Sequence, residues 1–82
     1  MFINKGKDGK NNICWKNIYI LRKKMNISQR KLADLLQLEG LDVDKNAIQR
    51  IETGKRFVTD IELFALSKVF NTKIEDIINT SS

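Results

Sequence analysis

Between Asp44 and Arg56 the chain reads DKNAIQRIETGKR. Set at about 100° per residue, Lys45, Asn46, Gln49, Arg50 and Thr53 fall on one side of a short helix. Ala47, Ile48 and Ile51 fall on the other, with Val43 just ahead. The first stripe holds no apolar residue. Its side chains are those that make directed hydrogen bonds to base edges: arginine to guanine, asparagine and glutamine to adenine, lysine to guanine or phosphate. The stripe also lacks the Glu/Lys alternation of a helix that is merely hydrated. Lys45 stands in the first turn, where a cation opposes the helix dipole by about 0.3–1 kcal/mol and Asp44 offsets only part of the cost. A cation there gains when it meets a base or a phosphate.

A second stretch has the same character. After Ser28 come Gln29, Arg30 and Lys31, with no acid before Asp34. That start is poor for an isolated helix and good for holding a phosphate, which free amides and cations grip together. Gly54 permits a left-handed turn after Thr53. Lys55 and Arg56 then follow beside the polar helix, where a nucleic-acid strand would pass.

These side chains need elements to position them, and the spacing predicts five helices. Proline is absent, no long run alternates with a period of two, and apolar residues recur at three and four. Helix 1 is expected over about residues 14–25, with Ile18, Leu21 and Met25 on one face, Trp15 a turn earlier, and Asn26 closing it. Helix 2 is expected over 28–39, capped by Ser28, with Leu32, Leu35 and Leu36 inward and Gly40 as its terminator. Helix 3 is expected over 44–53. Helix 4 opens near Thr59, where TDIE reads as a capping box; Ile61, Ala65, Leu66, Val69 and Phe70 face inward and Asn71 ends it. TKIE at 72–75 reads as a second capping box, opening a short helix 5 that runs to about Asn79. The fold class is all-α, a compact bundle of short-connected helices over residues 13–82. Residues 1–12, rich in Lys, Asn and Gly, read as a flexible basic arm.

Composition narrows the function classes. With 82 residues, 41% hydrophobic and 30% charged, one globular domain is expected. No apolar run approaches a membrane span, and the start of the chain has no signal-peptide core; the expected location is cytoplasmic. The single cysteine, Cys14, excludes an intramolecular disulfide and a multi-cysteine metal site, and is expected to be a buried or half-buried small apolar residue. Histidine is absent, which removes the commonest general base. No catalytic constellation, cofactor site or metal site is expected. Net charge is +5 overall. Residues 1–31 carry nine Lys/Arg against Asp8, while residues 32–82 carry six against nine acids. A basic chain of this kind points to a polyanionic partner, nucleic acid first. Aromatic residues are few and mostly at core spacing, which argues against stacking on single-stranded RNA.

ILRKKMNISQRKLA followed by AIQRIETGKR resembles the Cro/phage-repressor (Xre) type of helix-turn-helix regulator. The likeness lies in Leu21-Arg22, Ser28-Gln29, Leu32-Ala33 and Ile48 through Gly54, and RFVTDIELFALSKVFN is similar to that family's fourth helix. It spans about residues 18–78. The resemblance implies a phage-repressor-like domain that binds double-stranded DNA and regulates transcription, with helix 3 in the major groove. It implies that Lys45, Asn46 and Arg50 read bases with Gln49 beside them, that Gln29 clamps a phosphate, and that Thr53, Lys55 and Arg56 hold the backbone, to which the residues themselves add Arg30. It also implies a salt bridge between Arg22 and Glu52. The segment QLEGLD lengthens the usual short turn, so the chain is similar to a longer-turn subgroup. Such domains bind paired half-sites as dimers, and Ile74, Ile77 and Ile78 make helix 5 the expected homodimer surface. The alternative is a protein-interaction module, such as an antitoxin-like partner of another protein.

Overall fold

The structure, a computed structural model, describes residues 12–79. Five helices follow one another: α1 (Trp15–Lys24), α2 (Gln29–Leu38), α3 (Lys45–Glu52), α4 (Asp60–Phe70) and α5 (Ile74–Ile78). The described residues include no strand. Residues 1–11 of the expected arm lie outside the described residues.

The first four helices close in one way. Asn26, Gly40, Gly54 and Asn71 take left-handed conformations, with φ of 58°, 93°, 77° and 51°. In each case the next amide reaches back five residues: Ile27 to Arg22, Leu41 to Leu36, Lys55 to Arg50 and Thr72 to Ser67. This is the Schellman closure, which satisfies the last carbonyls and turns the chain sharply. At Gly40 an added Cβ would meet nothing within 4 Å, so backbone conformation alone calls for glycine there.

The starts are set by side chains. Ser28 accepts the Lys31 amide at 3.0 Å, Asp44 accepts that of Ala47 at 2.8 Å, and Thr59 and Glu62 form the expected capping box. The second expected box, Thr72 with Glu75, does not form. The Thr72 amide is engaged in closing α4, so Lys73 becomes the residue that precedes α5.

Ile18, Leu32, Leu36, Ile48, Ile51, Leu66 and Ile77 are fully buried. They fill the space where α1 meets α3 and α5, α2 meets α3 and α4, and α4 meets α5. Three expected core residues lie outside it: Leu35, half-buried on α2, and two exposed ones. Met25 stands past the last turn of α1 and Ile61 in the first turn of α4, and both are exposed. In α5 the reverse holds. Ile77 has no exposed surface and Ile78 packs on the core, so the isoleucines assigned to a dimer contact are largely used within the monomer. The lengthened turn is ordered from within: Val43 is buried, and the Gln37 side-chain amide donates to its carbonyl at 2.7 Å.

Candidate nucleic-acid interface

α3 sits with Ile48 and Ile51 in the core, and its last residue, Glu52, is buried as well. A buried carboxylate is costly unless paired, and Glu52 has three donors. Arg22 Nε and Nη2 reach its two oxygens at 2.6 and 3.0 Å, and Gln29 Nε2 donates at 3.1 Å. The remaining Arg22 nitrogen, Nη1, donates to the Ile27 carbonyl at 2.8 Å. The hydrogen bond to Glu52 raises the Arg22 pKa, although burial opposes the charge. The expected pair is therefore a three-residue network that ties α1, the start of α2 and the end of α3 together. Gln29 keeps one amide proton that Glu52 does not use.

Asn12 completes this anchor, and sequence reasoning missed it. Placed by composition at the end of the arm, it is 92% buried: its relative exposure is 8%. Its Nδ2 donates to the Ile51 carbonyl at 3.2 Å and to the Arg56 carbonyl at 2.8 Å. Its Oδ1 accepts the Cys14 amide at 3.1 Å. The end of α3 and the loop after it thus hang on a residue 39 and 44 positions away. No local signal separates it from its neighbour Asn11.

On the outer stripe Lys45, Asn46, Gln49 and Arg50 are all exposed. Among the described residues their side chains make no hydrogen bond or ion pair, while the backbone beneath them is fixed. Arg30 and Lys45 flank an open cleft of about 290 Å³ between α2 and the start of α3, and Asp34 and Asp44 complete its charged lining.

The five residues expected on the DNA backbone divide. Arg30 and Lys55 are exposed. Gln29 is oriented by Glu52. The Thr53 hydroxyl turns back onto its own helix, donating to the carbonyls of Gln49 at 3.0 Å and Arg50 at 3.2 Å. Its one proton is then unavailable to a phosphate, which only accepts. Arg56 is bound to Glu62 by two hydrogen bonds of 2.9 and 2.8 Å, which raise the arginine's pKa against burial. At Glu62 burial pushes the carboxyl up, but the bonds from Arg56 and Thr59 together carry it below the ordinary value of 4.5. Arg56 thus shapes the loop after α3 rather than presenting a free cation.

Cys14 is buried, as expected, and burial pushes its thiol up to about 11, so it is no thiolate near neutrality. Among the described residues no cluster could hold a metal ion, and no helix is long and apolar enough to cross a membrane.

A family model described as helix-turn-helix matches residues 18–77, which include most of α1, all of α2, α3 and α4, and most of α5. The chain belongs to the helix-turn-helix family. Within it, the chain is of the Cro/phage-repressor (Xre) type. A search of solved structures found the P22 c2 repressor protein, crystallised in complex with synthetic operator 9T, at a TM-score of 0.72 and 23% identity. The match covers 85% of this chain and 98% of that one, and shows that the two share a fold. No curated protein matches the chain.

Proposed function

We infer that this helix-turn-helix protein is a DNA-binding transcriptional regulator, a repressor, that reads double-stranded DNA by placing α3 in the major groove. Lys45, Asn46, Gln49 and Arg50 contact base edges. Gln29, Arg30 and Lys55 hold the phosphate backbone, Gln29 through its remaining amide proton and the other two as cations. Arg22, Glu52, Asn12 and Arg56 position these groups without touching DNA. The reading rests on one observation: four polar side chains of base-reading type stand exposed and uncommitted on a helix whose opposite face is buried and pinned. With a formal charge of +5, binding weakens steeply as salt rises, through counterion release. The place of action is the cytoplasm.

Selection of bound duplexes from a random pool gives the site, and Arg50→Ala tests the assignment. Replacing it removes one directed base contact, worth about 1–3 kcal/mol of discrimination, so affinity for the selected duplex falls roughly tenfold to a hundredfold. The melting temperature stays unchanged. Full affinity in the variant, or recovery of no preferred duplex, overturns the reading.

A further inference from the structure

α4 is apolar on two sides. Its inner side gives Ala65 and Leu66 to the core, with Val69 and Phe70 packed beside them. Its outer side carries Ile61 and Phe64, 69% and 55% exposed, and Phe57 just ahead of the helix is 53% exposed. Spacings of four and three put these on one stripe with Asp60 and Lys68. A helix that is apolar all round is normally covered on all sides, and an exposed apolar patch rimmed by charge marks an association site.

The charges on that stripe specify what covers it. Asp60 and Lys68 each stand four residues from Phe64, on opposite sides. When two copies of α4 run antiparallel about a two-fold axis at Phe64, each Asp60 faces the partner's Lys68, and Phe64 meets the partner's Phe64. A two-fold contact requires such a self-complementary surface. Lys68 is available for it: its ammonium lies 4.7 Å over the Phe64 ring, and its ion pair with Glu39, at 3.9 Å, is exposed and weak. The outer stripe of α1 also exposes apolar groups, Tyr19 and Ile20, but its charges are Lys16, Lys23 and Lys24, so two copies repel there.

We propose that the outer face of α4, with Ile61 and Phe64 set between Asp60 and Lys68 and Phe57 just ahead of them, pairs antiparallel with the same face of a second copy. The contact replaces the α5 surface expected from sequence and does not depend on which α3 residues read bases. A single helix face is a small interface beside the usual ~1,600 Å², so the dimer is weak in solution and is reinforced by a duplex carrying two half-sites.

Sedimentation equilibrium of the full chain, from micromolar to millimolar, measures the pairing. Asp60→Lys gives four facing cations and Lys68→Asp four facing acids, so each variant alone dimerises at least roughly tenfold more weakly. Mixed in equal amounts, the two variants restore every opposite pair and associate with each other. Thermal melts close to that of the unaltered protein show that both variants fold. A chain that stays monomeric throughout, single variants that dimerise undiminished, or a mixture that does not recover overturns the proposal. Affinity for a single half-site stays unchanged in both variants, which separates failure of pairing from failure of base reading.

Discussion

The two ends of α3 are held by different means. At its C-terminal end a buried carboxylate, a guanidinium, two side-chain amides and a left-handed glycine converge on residues 51–56. At its N-terminal end one exposed carboxylate caps the first turn, and one glutamine steadies the approach through Val43. The side chains that would meet bases begin at the lightly held end. Rigidity is supplied where the helix joins the body, and among the described residues the side chains of Lys45, Asn46, Gln49 and Arg50 are left without internal partners that DNA would have to displace. A polar side chain already bonded within the fold, as at Thr53 or Arg56, is a poor candidate for outside contact however well its position matches.

The sharpest way to break this comparison is at Glu52. Glu52→Ala leaves Arg22 buried without its partner, which costs about 3–5 kcal/mol of stability. In a domain of this size each kcal/mol lowers the melting temperature by about 4–8 °C, so calorimetry reads the effect directly. Charge exchange refines it: Arg22→Glu destabilises, and adding Glu52→Arg recovers part of the loss. If Glu52→Ala costs no more than a cap substitution, the two ends are equivalent and the comparison fails.

Asn12→Ala comes next. It strips the Ile51 and Arg56 carbonyls of a buried donor, at about 1–3 kcal/mol. Urea unfolding measures the loss, and faster amide exchange at Lys55 and Arg56 localises it to the loop after α3. A variant as stable as the parent shows that the residue only decorates that loop.

At the other end Asp44→Ala removes a cap worth about 1 kcal/mol. Exchange rises at Ala47, while residues 51–56 stay protected. The smallest effect belongs to the Arg56–Glu62 pair. Because the folded state lowers the Glu62 pKa, its stabilisation is fully present above the ordinary glutamate value of 4.5 and fades as pH falls below it. With the arginine side chain 32% exposed, less than about 1 kcal/mol is lost on acidification, and Glu62→Gln removes that part of the pH dependence of the melting temperature.

Much of the frame was legible from local chemistry. A helix ends where a residue tolerates positive φ and starts where a short polar side chain can reach an amide three residues on, and both conditions are read along the chain. Asn26, Gly40, Gly54 and Asn71 therefore marked four ends, and Ser28, Asp44 and Thr59 three beginnings. The two-sided character of α3 came from periodicity in the same way. The Thr72–Glu75 box misled because the same amide can serve the end of one helix or the start of the next, and the left-handed Asn71 settles it for α4.

The sequence by itself determined where the helices lie, that α3 has one apolar and one polar side, and that the chain carries a net positive charge. It could do so because these properties depend on neighbours within one or two helical turns. Only the tertiary structure decided that Asn12 clasps the end of α3, that Glu62 holds Arg56, that Ile77 lies in the core, and that Ile61 and Phe64 are left facing outward. Those outcomes depend on which surfaces of different helices meet, and most of the contacts involved join residues tens of positions apart, beyond the reach of local periodicity.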